Sequence, residues 1–149
     1  MKIALVCSNG GHLFELYSLK EFWSRDERFW VTFKGQDTSV ILSAEKVYFA
    51  FSPTNRNIIN LIRNFFLGLK ILSKEKPGVV ISTGAGVGVA FIYAAKCLRI
   101  KTIYIELVTR IETLSLTGRL IYGIVDELIV QWPGLTKKYK KAKFLGQTL

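Results

Sequence analysis

The chain is short of acid, of histidine and of long unbroken apolar stretches. Its 149 residues hold 11 Asp and Glu against 21 Lys and Arg, a formal charge of +10. That excess suggests a polyanionic partner, either nucleic acid or an anionic membrane surface. The two cysteines, Cys7 and Cys97, have neither metal-ligand spacing nor a disulfide pattern. Both read as small buried hydrophobes in a reducing cytosol, and no metal site is expected. No run of about eighteen uncharged apolar residues occurs, so no spanning helix is expected. Only Lys2 precedes the first apolar run and Ser8 interrupts it, which does not read as a signal peptide. Half the residues are hydrophobic, which argues against disorder, and the length suits a single domain over 1–149.

What is present alternates. Apolar runs of strand length stand at Ile3–Cys7, Phe29–Lys34, Val47–Phe51, Val79–Ser82, Thr102–Ile105 and Glu127–Gln131. Several are apolar throughout, as strands covered on both faces are. Helical periodicity marks His12–Ser24, Asn55–Lys74, Gly86–Leu98 and Leu114–Tyr122, with a short helical turn at Thr38–Ala44. Such alternation implies right-handed crossovers and one Rossmann-like α/β domain, a parallel sheet with helices on both faces. A sheet of that kind binds ligands at the carboxyl ends of its strands.

Three post-strand segments therefore carry the candidate chemistry. The first is Ser8-Asn9-Gly10-Gly11-His12, where glycines at a helix start let a backbone approach an anion and the helix dipole favours it. His12 is the only histidine, the residue type that ordinarily titrates nearest neutral pH. A plain β-to-α turn carrying a histidine has the same pattern. The second is Ser82-Thr83-Gly84-Ala85-Gly86-Val87-Gly88. Gly84-x-Gly86 starts a dinucleotide-like pattern, and Glu106 lies near the distance for a ribose contact, but Val89 holds the third glycine's place and the strand is a late one. A phosphate-cradling loop, or small residues packing a helix on the sheet, fits better. The third segment is Glu106 with Arg110 behind it. A carboxylate ending an apolar strand needs a partner: Arg110, Thr109 or a ligand hydroxyl.

Two basic features bear on location. In the second long helix Ile58, Ile59, Leu61, Ile62, Phe65, Phe66, Leu69 and Leu72 form one arc, and Arg56, Asn57, Asn60, Arg63, Asn64 and Lys70 the other. Either the arc packs on the sheet, or it dips into lipid while Arg56, Arg63 and Lys70 meet anionic headgroups. The stretch Lys137–Lys143 has five lysines among seven residues and reads as a solvated run, with no RNA- or DNA-binding signature beside it.

Taken in order, Ser8–His12, Ser82–Gly86, Tyr104-Ile105-Glu106, Leu114–Arg119 and Val130-Gln131-Trp132-Pro133 resemble successive blocks of the Alg-fourteen-like oligosaccharide biosynthesis family, whose bacterial members include PssD- and CpsF-type proteins. Gly-Gly-His alone also resembles MurG-type glycosyltransferases. The resemblance spans nearly the whole chain. It implies the N-terminal half of a GT-B glycosyltransferase split into two chains: a membrane-associated subunit for exopolysaccharide or capsule synthesis at the cytoplasmic face of the cell membrane. This half would hold a polyprenyl-diphosphate-linked sugar acceptor, and a partner subunit would bind the UDP-sugar donor, so this chain alone would bind no cofactor and no nucleic acid. The expected roles are as follows. His12 and Glu106 are candidate bases for inverting transfer, with His12 preferred. Asn9, Gly10, Gly11, Thr83, Gly84, Gly86 and Arg110 contact the acceptor phosphates. Arg56, Arg63, Phe65, Phe66 and Lys70 face the membrane, and Gln131 and Trp132 the partner. A stand-alone nucleotide-binding Rossmann enzyme built on Gly84 and Glu106 is the alternative.

Overall fold

Every apolar run named above forms a strand, and a further strand arises where the lysines stand. The structure, a computed structural model, describes residues 1–148. Strands β1 (Lys2–Cys7), β2 (Glu27–Thr32), β3 (Val47–Phe49), β4 (Val79–Gly84), β5 (Lys101–Ile105), β6 (Glu127–Val130) and β7 (Ala142–Phe144) pair in the order β3-β2-β1-β4-β5-β6-β7. All six pairings are parallel. The chain builds outward from β1 to β3, returns to set β4 beside β1, and builds outward the other way. Its direction thus reverses between β1 and β4, where open α/β sheets form their ligand crevice.

Period-two alternation along β1 divides the core. Ile3, Leu5 and Cys7 pack with Leu13, Leu16 and Trp23 of α1 (Gly11–Ser18) and α2 (Lys20–Trp23) and with Leu42 just after α3 (Gln36–Ile41). Ala4 and Val6 face the other way, onto Ile71, Leu72, Val87 and Phe91 of α4 (Ile58–Glu75) and α5 (Gly86–Cys97). Tyr104, Leu128 and Val130 continue that second face under α6 (Leu116–Ile121) and α7 (Gly134–Lys138). The chain therefore folds as one Rossmann-like α/β domain, a parallel sheet with helices on both faces.

Helix α4 divides the apolar arc that its composition suggests: Leu72 is buried and Leu61, Phe65 and Leu69 are half-buried against the core, while the rest of the arc is exposed. Its buried stripe is Asn60, Asn64, Gly68, Ile71, Leu72 and Glu75, whereas Ile58 and Ile59 are 72% and 73% exposed and Phe66 62%. The cause lies beneath the helix, where the strand exit at Phe51–Pro53 brings backbone groups that need partners. Asn64 accepts from the Phe51 N–H at 2.8 Å and donates to its carbonyl at 3.0 Å, and Asn60 donates to the Pro53 carbonyl at 2.7 Å. Gly68 lets α4 close on α5, since a Cβ there would stand 3.0 Å from that of Ala94. Asn57 caps the helix by accepting from the Asn60 N–H. Arg56, Arg63 and Lys70 are exposed, as expected, and Phe65 is half-buried.

At the other end of α4, Glu75 accepts from Lys2, Lys46 and Tyr48. The Lys46 and Tyr48 hydrogen bonds hold its carboxyl at about 2, against an ordinary 4.5. A lowered carboxyl contributes stability above its unfolded value and loses it as pH falls toward the folded one. Screening at exposed Lys46 limits the contribution to about 1–2 kcal/mol. Glu75→Gln is expected to lose that amount at pH 7 and to flatten the acid limb of a denaturant-melt series between pH 4.5 and 2.

The lysine segment keeps Lys137, Lys138, Lys140 and Lys143 exposed, as expected, and also carries the end of α7 and the start of the edge strand β7, seated by buried Leu135 and Ala142, with Lys143 paired to Glu127 at 3.2 Å. Cys97, expected to be buried, is exposed at the end of α5, while Cys7 is buried and its thiol is pushed up by burial. Among the described residues no helix is long and apolar enough to cross a membrane.

Candidate functional site

At the carboxyl edge of the sheet lies a cavity of about 590 Å³, within the usual range of ligand pockets. Its walls come from four connections: His12 at the start of α1, Thr54–Asn57 after β3, Ala85 and Gly86 opening α5, and Leu107, Arg110 and Ser115–Thr117 between β5 and α6. The lining includes two guanidinium groups, Arg56 and Arg110, one imidazole, and no carboxylate. No side chain caps the N-terminus of α5, so its positive end adds to a field that favours an anion.

His12 is fixed by its neighbours. Its Nδ1 lies 2.9 Å from the Thr83 carbonyl, which can only accept. Nδ1 is therefore the donor, and Nε2 is the basic nitrogen of the neutral ring. The Thr83 hydroxyl returns a bond to the His12 carbonyl at 2.8 Å. Gly84 sits under the ring with φ of 120°, where a Cβ would stand 2.8 Å from the Tyr104 hydroxyl and 3.3 Å from His12. Only glycine meets both demands there.

Behind this wall, Glu106 is fully buried. Its oxygens accept from the Ser115 N–H and hydroxyl, each at 2.9 Å, from the Leu107 N–H at 3.1 Å and from Tyr104 at 3.2 Å. Burial and the neighbouring carboxylate push the Tyr104 phenol up, which keeps it a donor. With both oxygens occupied and no route to solvent, Glu106 fastens the β5–α6 connection instead of serving as a base. Arg110 is not among its partners. A ribose contact is closed to it as well, which removes the carboxylate that a dinucleotide site on Gly84 would need. In α6, a Cβ on Gly118 would come within 2.6 Å of the Glu106 Oε2. Gly118→Ala is therefore expected to destabilise by about 1–3 kcal/mol, although alanine is the better helix former, and a lowered melting temperature checks it.

The cavity unites His12, Gly86 and Arg110 from the expected set and adds Arg56, which was assigned to the membrane face. The first glycine turn lies outside it. The Gly10 N–H donates to Asp37 at 2.7 Å, so the chain's own carboxylate already occupies the anion position at α1. Gly11 is exposed away from the lining, and the Asn9 side chain lies beside Gly35. Thr83 and Gly84 shape His12 and do not line the cavity. Gln131, expected at the partner surface, is buried within this chain, with its Oε1 accepting from the Thr148 N–H at 2.8 Å. Trp132 is half-buried and donates to the Val108 carbonyl at 2.6 Å. The sequence reading missed Thr54, Asn55, Asn57, Ser115 and Thr117. The signal was available: Thr54–Asn57 follow the third strand of a parallel sheet and so belong to the same edge.

Comparison with known proteins points one way. Residues 50–148 match the family described as oligosaccharide biosynthesis protein Alg14 like. The UDP-N-acetylglucosamine transferase subunit ALG14 of Homo sapiens is 30% identical over 96 residues, covering 60% of this chain and 44% of the relative. That of Candida albicans is 28% identical, covering 97% of this chain and 77% of the relative. The chain thus spans less than half the length of the human relative. Acinetobacter baumannii MurG superposes with a TM-score of 0.73 at 14% identity, covering 89% of this chain and 42% of MurG.

Proposed function

The chain belongs to the Alg14-like oligosaccharide biosynthesis family, and from that premise we propose that it is the acceptor-side subunit of a two-chain, inverting glycosyltransferase. It holds a polyprenyl-diphosphate-linked sugar at the cytoplasmic face of the membrane and recruits a second Rossmann-like chain, which brings the UDP-sugar. The relatives' names favour UDP-N-acetylglucosamine as that donor, and capsule or exopolysaccharide is the product class we assign.

One observation carries this reading: a carboxylate-free cationic cleft, with an oriented imidazole in its wall, opens next to an exposed apolar ridge on α4. A diphosphate suits Arg56, Arg110 and the amide end of α5. A greasy tail suits Ile58, Ile59, Ile62 and Phe66, flanked by Arg63 and Lys70. In the transfer itself the acceptor hydroxyl attacks the donor's anomeric carbon on the face opposite the leaving nucleotide. Nε2 of His12 takes the hydroxyl proton as that bond forms, and Nδ1–H remains on the Thr83 carbonyl, which holds the tautomer and ring in place.

The test is co-expression with a candidate donor-binding chain, followed by pull-down and a transfer assay on a polyprenyl-diphosphate sugar. A stable pair that transfers, with little transfer by this chain alone, is the expected outcome. Robust transfer by the single purified chain would overturn the division of labour.

A further inference from the structure

We propose that the apolar groove between α4, α5 and α6 receives the first segment of the acceptor's isoprenoid tail while the cationic cleft holds the diphosphate to which that tail is attached. The inference rests on the acceptor reading above and adds where the tail goes.

The groove encloses about 320 Å³ and is walled by Leu61, Ile62 and Phe65 from α4, Val89 and Tyr93 from α5, and Leu120 from α6. None of these is charged. The one polar group among their side chains, the Tyr93 hydroxyl, is committed to the Leu120 carbonyl at 3.0 Å and ties α5 to α6. Leu61, Val89 and Leu120 line the groove and the cationic cleft alike, so the two are one continuous depression with a polar head and an apolar exit.

That polarity selects its occupant. A sugar nucleotide would leave the apolar arm wet. An apolar peptide or a free fatty alcohol would leave Arg56 and Arg110 unpaired. An alkyl diphosphate satisfies both ends. Leu61 to Phe65 and Val89 to Tyr93 are each about one helical turn, roughly 6 Å, so the groove accepts a short stretch of tail and not its whole length. Ile62, Tyr93 and Leu120 are also half exposed, and Ile62 stands one helical turn from both Ile58 and Phe66 of the α4 ridge. The remainder of the tail therefore leaves the groove beside Ile58, Ile59 and Phe66, the residues that would sit in lipid. Acceptor recognition on this account includes drawing the tail's first carbons out of the bilayer.

Calorimetry on the purified chain tests this with farnesyl diphosphate, kept below its micelle concentration, against inorganic pyrophosphate. The farnesyl compound should bind at least about 100-fold tighter, since each buried methylene is worth about four-fold. Ala90 of α5 also lines the groove, and Ala90→Leu, which fills it, should lower farnesyl diphosphate affinity at least about ten-fold and leave pyrophosphate binding and vesicle binding unchanged. Ala90 is itself buried, so Ile62→Gln, at a half-exposed position that lines the groove and not the cationic cleft, gives the same comparison of the two probes with little folding risk. Equal binding of the two probes, or variants that weaken both equally, would overturn the tail groove alone. If neither probe binds, the acceptor reading falls with it.

Discussion

His12→Gln is expected to lower transfer by the two-chain enzyme about 10²–10⁴-fold, the usual contribution of a positioned general base. On the proposed mechanism the loss should fall on kcat with the acceptor KM nearly unchanged, because the imidazole would act on the proton in flight while the arginines would hold the diphosphate. Removal of the 2.9 Å bond to the Thr83 carbonyl costs about 1 kcal/mol of stability, too little to unfold the domain. Melting temperature and partner pull-down should therefore stay close to those of the unmodified chain. Glu106→Gln gives the contrast. It breaks a buried, four-fold accepted carboxylate and should act through stability. An unchanged kcat in His12→Gln would remove the base from this chain and move it to the partner.

The second large effect concerns the α4 ridge. Ile59→Glu combined with Phe66→Glu is expected to weaken binding to anionic vesicles at least about 100-fold, about ten-fold for each large apolar side chain kept out of lipid. Both residues are more than half exposed in the folded chain, so the melting temperature should hold or rise. Raising salt should weaken the contribution of Arg63 and Lys70 and leave the apolar part in place. Sedimentation with vesicles at two salt concentrations separates the two. Full vesicle binding by the double variant would show that α4 is not the contact.

The sheet was legible because its central strands are apolar on both sides. Ile3–Cys7 and Val79–Ser82 admit few other readings, and a parallel order follows from the lengths between them. What periodicity could not show is which side of α4 meets the core. An apolar arc has the same pattern against a sheet as against lipid, and Asn60 and Asn64 look like surface residues until the backbone of Phe51 and Pro53 is found beneath them. The candidate site was half legible for a related reason. The rule that loops gather at the carboxyl edge found His12, Gly86 and Arg110, but it could not tell which loop amides were already taken. Asp37, 27 residues from Gly10, is a contact without local signal. Glu106 likewise found its partners at Ser115 and Tyr104, where charge pairing had suggested Arg110. The helical turn and the strand at the lysine segment went unread because Leu135 and Ala142 are too few to show a pattern.

The two outermost strands, β3 and β7, are three residues each, and Lys143 stands in the second. Short borders carrying cations are poor templates for strand addition. Another polypeptide therefore gains little by lengthening this β-structure. The surfaces left for contact with another chain are the helices and the crevice loops, and an association through them leaves the seven-stranded sheet undisturbed.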